Sequence, residues 1–252
     1  MRSKFALGLL LAAISAGSSL SAGGAVRRTS FALTEIGNAD FNAAVPLKED
    51  DPKLVRLRST EYGRALLLSS DYFLGEMKDL WQIFDFSVGG KASDYNIKIM
   101  FSDPAAAKVE VADGYGGKGT KDVTLLVMNA TISDKSGKVV FSSNFERQTD
   151  RDEKVGSISK LVRLCFADLA SLLRAQFAAT YRVNLRAPTN FPEFDPSSAI
   201  VCVDGERISP SAEIWLSKGR HELKVTADGC EDVASTIEMT DHLQSSVKLK
   251  RK

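Results

Sequence analysis

The pattern of hydrophobic and polar residues divides the chain into two parts. Up to about residue 181 helical spacings and strand-like alternations are mixed, whereas after residue 197 only short strand patterns remain. Apolar side chains that recur every three or four residues form one face of a helix, and alternating ones form one face of a strand. The sequence therefore predicts an α+β region followed by an all-β region.

The first region, residues 26–187, is expected to be an α+β domain with a mainly antiparallel sheet. Residues 28–34 suit an opening strand, and residues 53–70 carry a helical pattern. Residues 123–132 form an apolar run typical of a strand buried on both faces, and the turn at residues 134–137 leads into another strand. These two strands are predicted to form a hairpin.

The longest helical pattern extends from about residue 157 to residue 181 and is expected to pack on the sheet. Ser157 is a candidate N-cap, because its hydroxyl can accept from a first-turn amide. Residues 73–86 fit a helix as well as a strand, so periodicity leaves that segment open. The apolar face of the long helix comprises Ile158, Leu161, Val162, Cys165, Leu169, Leu172 and Leu173.

Prolines mark the boundary between the two regions. Pro188, Pro192 and Pro196 recur every four residues, and proline can continue neither a helix nor a central strand. Residues 188–197 are therefore predicted to form an extended linker. Residues 198–252 follow with short strand patterns separated by Asp-Gly and Lys-Gly turns, which predicts a small all-β sandwich.

The C-terminal region resembles a PEGA domain, a small β-sandwich of exported and surface proteins of bacteria. The resemblance is carried by residues 201–205 (Val-Cys-Val-Asp-Gly), Pro210, and residues 214–221 (Ile-Trp-Leu-Ser-Lys-Gly-Arg-His), and continues through residues 223–230. It departs from the family at residues 217 and 218, where prolines are frequent, and at 230, where an aromatic residue is usual. The resemblance implies the sandwich fold and carries over no binding residue.

Residues 95–181 more loosely resemble the α/β envelope domains of curli-secretion components and penicillin-binding-protein activator lipoproteins. The strand after Asp94, the Ser-Gly turn within residues 131–142 and the long helix carry this resemblance. Because this order of elements is common, the resemblance implies an envelope setting and assigns no functional residue.

The N-terminus has the pattern of a signal peptide. Arg2 and Lys4 precede a short apolar run, and small residues follow it, as in leaders that are removed on export. We expect a signal peptidase to remove residues 1–22, with residue 25 as the latest cleavage position. The alternative is that this segment forms a buried N-terminal helix. No later apolar run is long enough to span a bilayer. The mature chain is therefore expected in the periplasm or at the cell surface, without a transmembrane segment.

Charge and cysteine content narrow the function classes. The 33 basic and 32 acidic residues nearly balance, so nothing in the charge suggests a nucleic-acid partner. Cys165 lies in the apolar face of the long helix. An oxidising compartment would permit Cys202 and Cys230 to form a disulfide, but the sequence does not show whether their side chains meet.

No motif predicts an active site, a cofactor or a metal. Residues 114–119 match G-x-G-x-x-G, but a strand pattern rather than a helix follows them, so a hairpin connection is favoured over a dinucleotide site. His221 and His242 lack motif partners, and the acidic residues at 150–153 are interleaved with basic ones. Trp81 and Trp215 could contribute aromatic rings to a binding surface.

These observations favour a non-enzymatic, exported binding or scaffold protein of the cell envelope. Its expected partner is an envelope protein, peptidoglycan or another glycan. The alternative is an accessory factor for secretion or cell-wall synthesis that docks on an envelope enzyme or pore. A hydrolase that uses two carboxylates stays open, because such pairs have no fixed sequence spacing.

Overall fold

The computed structural model describes residues 28–45, 47–89, 93–112, 118–150, 157–188 and 194–252. The predicted signal peptide, most of the glycine-rich motif, part of the acidic cluster and the centre of the predicted linker lie outside the described residues.

The helices and strands confirm the α+β class. The α-helices are α1 (Pro52–Ser59), α2 (Glu61–Leu67), α3 (Ser69–Glu76) and α4 (Ser157–Phe177), and Lys78–Leu80 and Pro196–Ser198 form 3-10 turns. The strands are β1 (Thr29–Asn38), β2 (Phe41–Asn42), β3 (Phe84–Val88), β4 (Tyr95–Phe101), β5 (Ala105–Ala112), β6 (Lys118–Asp134), β7 (Val139–Asp150), β8 (Ala178–Arg186), β9 (Ile200–Val203), β10 (Glu206–Ile208), β11 (Glu213–Ser217), β12 (Gly219–Thr226), β13 (Val233–Met239) and β14 (Leu243–Lys248).

The first sheet is built around β1 and the long β6. Strand β1 pairs in parallel with β3 and β4, and antiparallel with β2 at its end. Strands β4 and β5 pair one after the other along β6, and β7 forms the predicted hairpin with it. Along β6 fully buried residues alternate with less buried ones. The apolar run was predicted to be buried on both faces, but only one face of it is fully buried.

Helix α4 closes the core of the first region. Its buried face includes the ring of Phe166, which meets Phe73 of α3 edge to face at 5.9 Å. Arg147 of β7 forms a two-pronged ion pair with Asp168 on α4, and this bond raises the pKa of the Arg147 guanidinium. The helix is thereby fixed on the sheet through both apolar and charged contacts.

The long helix ends at Phe177, four residues before the predicted end. The chain passes directly into β8, and the amide of Lys218 donates to the Phe177 carbonyl over 2.7 Å. The helical pattern could not show this, because the strand that captures the helix end lies about 40 residues later in the sequence.

Strand β8 belongs to the second region. It lies between β11 and β14, and a second sheet has the order β10-β9-β12-β13. Both sheets bury side chains in one shared core, which includes Tyr181, Val201, Val225 and Ile237. The change from the first core to the second therefore falls at Ala178–Ala179, whereas the sequence placed the end of the first domain at residue 187.

The helical segment predicted at residues 53–70 is divided into separate helices with a tight contact between the first two. The hydroxyl of Thr60 accepts from the amide of Gly63 over 2.9 Å and so caps α2. A Cβ added to Gly63 would lie 2.1 Å from the Leu57 carbonyl oxygen and 2.6 Å from the Leu57 Cα. Only glycine therefore permits α1 and α2 to approach so closely.

We expect Gly63→Ala to lower the free energy of unfolding by about 2 kcal/mol or more, because backbone atoms must move to admit the methyl group. Gly75→Ala is the matched control. A Cβ on this glycine in α3 meets nothing within 4 Å, so the higher helix propensity of alanine should add up to about 1 kcal/mol. Urea unfolding of both variants measures the difference, and equal effects would contradict the close contact.

Candidate functional site

A cleft of about 430 Å³ lies where the two regions meet. The first region contributes Arg28, the segment around Asp79 and the last turn of α4, and the second contributes β9, β10, β11 and His221. A volume of this size is typical of ligand sites. Because both regions supply its walls, the cleft depends on their relative position.

Arg28 connects the two regions at the edge of the cleft. One terminal nitrogen donates to the carbonyl of Trp81 over 3.0 Å, and the other forms an ion pair with Glu206 of β10. Both side chains of this pair are partly exposed, so water screens their attraction. The contact therefore orients the two regions more than it stabilises them.

Trp215 of β11 forms the aromatic part of the cleft and is 41% exposed. The guanidinium carbon of Arg174 lies over its ring at 5.8 Å from the centroid, and the His242 ring meets it edge-on at 6.1 Å. A guanidinium over an indole is attracted by the ring's quadrupole. These two contacts hold the ring in place and leave only part of it free for a ligand.

Arg174 also has an unused hydrogen-bond donor. Its Nε is buried and has no acceptor among the described residues. A buried donor without an acceptor costs about 1–3 kcal/mol. The contact of the guanidinium with the Trp215 ring offsets part of that cost.

His221 holds the turn between β9 and β10 against β12. Its Nδ1 lies 2.6 Å from Asp204 Oδ2, and its Nε2 lies 2.7 Å from the Ser217 carbonyl oxygen. Both ring nitrogens are therefore engaged within the chain. Asp204 and Gly205 both have positive φ, as a two-residue hairpin turn requires. Neither ring nitrogen of His221 is therefore free to bind a ligand.

The carboxylates of the cleft fall into two groups. Asp204 and Glu206 are paired, with His221 and Arg28 respectively. Asp79 and Glu213 are exposed and have no ion-pair partner among the described residues. Arg174 also lines the cleft without an ion-pair partner among the described residues, so two unpaired negative charges face one unpaired positive charge and the balance is negative.

A second cavity, also of about 430 Å³, lies beside α1 and α2. Lys53, Arg56 and Asp103 line it together with Tyr62, whose hydroxyl donates to the Ser102 carbonyl over 2.9 Å. Burial raises the pKa of Tyr62, and the charge of Asp103 adds to the rise. The phenol therefore stays protonated, and the charges around this cavity have mixed sign.

Both tryptophans named from the sequence lie at or next to the cleft. Trp215 lines it. Trp81 is 48% exposed and does not line it, but its carbonyl accepts from Arg28, which does. Sequence reasoning missed Arg28, Asp79 and Arg174. No local signal could have found them, because they come from separate elements and meet only through the tertiary fold.

The three cysteines are free thiols in the structure. Cys202 lies between the buried Val201 and Val203 on β9 and is only partly buried, whereas Cys230 lies in the second core. Because successive side chains of a strand point to opposite faces, Cys202 faces away from that core. The disulfide between Cys202 and Cys230 that the sequence left open is not formed here.

In the described part of the chain, no group of His, Cys, Asp or Glu side chains is arranged to hold a metal ion. No helix there combines the length and apolarity needed to cross a bilayer.

Comparison with known proteins gives weak matches only. No family model matches the chain, and no curated protein matches it. The PEGA and curli-component resemblances therefore stay predictions. Among solved structures, a Xanthomonas campestris protein of family DUF330 aligns with TM-score 0.35 and 11% identity, over 59% of this chain and 82% of that one.

Two further solved structures align with part of the chain. A minor lipoprotein from Acinetobacter baumannii has TM-score 0.25 and 15% identity, over 59% of this chain and 90% of its own. The Bacillus anthracis TIE protein has TM-score 0.21 and 7% identity, over 64% of this chain and 35% of its own. Such low scores carry no argument about function.

His221→Phe should lower the free energy of unfolding by about 2–4 kcal/mol, because Asp204 Oδ2 and the carbonyl oxygen of Ser217 both lose their hydrogen bond to the ring. His242→Phe is the control: His242 also bonds to Thr180, but it is exposed, so water can replace that bond and the change should cost less than about 1 kcal/mol. Urea unfolding measures both. An equal decrease in the free energy of unfolding for both variants would show that His221 does not hold the turn.

Thiol labelling should separate the cysteines. Burial raises the pKa of the Cys165 thiol to about 12, and the charge of Asp168 adds to this. Since the thiolate is the reactive form, Cys165 should resist iodoacetamide at pH 8 in the folded protein. Cys202 should react first, and Cys165 and Cys230 only after unfolding. Mass spectrometry that finds one labelled cysteine after non-reducing unfolding would show a Cys202–Cys230 disulfide instead.

Proposed function

We propose that the chain is a non-catalytic binding protein of the bacterial cell envelope and that its partner occupies the cleft between the two regions. The observation that carries the proposal is that two carboxylates without an ion-pair partner, Asp79 and Glu213, line the same cleft as the half-exposed Trp215. Charged and aromatic groups that lack internal partners are available to a partner molecule.

The use of His221 supports a binding role over a catalytic one. A general base needs a nitrogen that can take a proton from the substrate. Both nitrogens of His221 are engaged in hydrogen bonds within the same chain. Of the four carboxylates at the cleft, two are also engaged in ion pairs, which leaves Asp79 and Glu213 on the exposed rim.

The setting in the envelope is supported by the N-terminal sequence. The basic start and apolar run of residues 1–22 are typical of a cleaved export signal. The PEGA-like pattern of residues 198–252 agrees with an exported protein, and the second region would then serve as an adhesive or spacer module. We place the mature chain in the periplasm or at the cell surface.

A second candidate is the accessory factor that docks on an envelope enzyme or pore. Val139 and Val140, at the start of β7, are 55% and 45% exposed. Two adjacent exposed valines beside a hairpin turn favour contact with another protein. In this case the docking surface would lie on the first region, away from the cleft.

Retention on envelope material tests the proposal. Mature protein would be incubated with purified peptidoglycan and, separately, with detergent-solubilised envelope proteins. The double variant Asp79→Lys with Glu213→Lys should be retained at least about tenfold less than the wild type, because it reverses the free charge of the cleft. The control Asp122→Lys with Asp232→Lys has the same net charge change at exposed positions elsewhere and should be retained normally.

Other outcomes would overturn the proposal. Equal retention of the cleft variant and the wild type would place the binding surface elsewhere. If Val139→Ser with Val140→Ser then removed retention, the accessory factor would be the better description. Retention on neither material would refute an envelope partner altogether.

A further inference from the structure

The cleft follows the free edge of strand β11. All five residues of this strand, Glu213–Ser217, line the cleft. Because successive side chains point to opposite faces of a strand, a cavity that contacts every one of them lies beside the edge of the strand and not over one face. Strand β8 pairs with one edge of β11. No strand among the described residues pairs with the opposite edge, which faces the cleft.

The pairing with β8 shows which backbone groups face the cleft. Lys218 and Phe177 continue the register of the ladder, and the Lys218 amide donates to the Phe177 carbonyl. Hydrogen-bonded pairs alternate in an antiparallel ladder. Leu216 and Ile214 therefore bond to β8 as well, and the alternate residues Glu213, Trp215 and Ser217 turn their amides and carbonyls away from β8, towards the cleft.

A separate contact agrees with this assignment. The carbonyl oxygen of Ser217 accepts from His221 on β12, so it points away from β8 as the alternation requires. The amides and carbonyls of Trp215 and Glu213 face the same way and have no strand beside them among the described residues. An unpaired strand edge of this kind is a template for another extended chain.

We propose that the cleft binds an extended, positively charged peptide segment of a partner protein, which adds to β11 as a further strand. This inference rests on the proposed function, since it names the ligand class of the same site. Main-chain hydrogen bonds to the strand edge supply affinity in this mode, and the flanking side chains supply specificity.

The charge of the cleft sets the sign of the peptide. Asp79 lines the cleft from the first region and Glu213 lies on β11 itself, and neither has an ion-pair partner among the described residues. Lysine or arginine side chains on the incoming strand would neutralise both. Arg174 also lines the cleft and has no ion-pair partner among the described residues, so the unpaired carboxylates exceed the unpaired cations by one charge.

The walls of the cleft also suit an alternating sequence. Ile83 and Val203 are buried lining residues, and Ile208 is partly buried. Apolar side chains on one face of the incoming strand could pack there while basic ones on the other face reach the carboxylates. Such an alternation is the pattern of a strand with one buried face.

The probe is a fluorescein-labelled, eight-residue peptide of alternating lysine and valine, measured by fluorescence anisotropy with the full mature chain at low salt. It should bind, and the Asp79→Lys with Glu213→Lys variant should bind it at least about tenfold more weakly. A peptide of alternating glutamate and valine should not bind. Equal binding of the two peptides would overturn the charge argument.

Backbone methylation tests strand addition directly. Two further lysine-valine peptides carry N-methyl groups on alternate residues, one on the lysines and one on the valines. Only one set of amides faces β11, so one peptide should lose at least about tenfold in affinity and the other should keep most of it. Equal binding of both methylated peptides and the parent would show a purely electrostatic association and overturn the proposal.

A backbone change in the protein gives an independent measurement. Glu213→Pro removes the carboxylate and the backbone N–H that faces the cleft. It leaves the backbone hydrogen bonds between β11 and β8 in place, because proline is tolerated where the N–H points away from the neighbouring strand. It should weaken peptide binding more than Glu213→Gln, which removes only the charge. Circular dichroism would confirm that both variants fold.

The outcomes separate this inference from the proposed function. If the lysine-valine peptide fails to bind while envelope material is still retained through the cleft, the ligand class is wrong and the function stands. Cleft-dependent retention on glycan strands freed of their peptides would identify a carbohydrate ligand and likewise overturn the peptide. If the cleft variant affects neither assay, both proposals fail.

Discussion

The direct passage from helix α4 into strand β8 is the constraint on which the arrangement of the two regions depends. Phe177 packs against the first core, and Ala179 already lies in the second. No flexible segment separates them, and the Lys218 amide fixes the last helical carbonyl. The two regions are thus joined by continuous regular structure, and the predicted linker at residues 188–197 comes after the change of core.

The cleft is a consequence of that junction. Arg174 lies one turn before the end of α4, where a positive charge is favoured by the helix dipole. The strand that follows the helix places Thr180 opposite Trp215 in the ladder, and Thr180 also binds His242, which contacts the same indole. A change in the angle between α4 and β8 would therefore alter the cleft before it affected either core.

Helices, strands and turns that follow from a short stretch of sequence could be predicted. Elements that form only by pairing with residues far along the chain could not. The apolar face of α4, the β6–β7 hairpin and the turn at Asp204 and Gly205 each follow from a short stretch of sequence. Strand β8 does not, because its parallel partner β14 lies about 60 residues later. Its residues 178–181 continued the helical pattern well enough to be included in the helix.

The same distinction applies to the candidate site. Trp215 was named because an exposed or half-buried tryptophan is a binding residue in many proteins, but its neighbour Arg174 is separated from it by 41 positions. Asp79 lies in a short turn that no periodicity marks, and Glu213 differs from other surface acids only through the cleft beside it. Chemical type alone could not distinguish these residues from the chain's other charged side chains.

Strand edges explain why this cleft differs from the second cavity. The cavity beside α1 and α2 is lined mostly by helical residues and by residues next to strand ends, and helices satisfy their own backbone groups. The cleft at β11 instead offers a row of backbone donors and acceptors that β8 cannot reach. Exposed strand edges are usually short or protected by charge, and Glu213 supplies such a charge here. The same carboxylate that disfavours pairing with a neutral or acidic strand favours pairing with a basic one, so protection of the edge and selection of its partner follow from one residue.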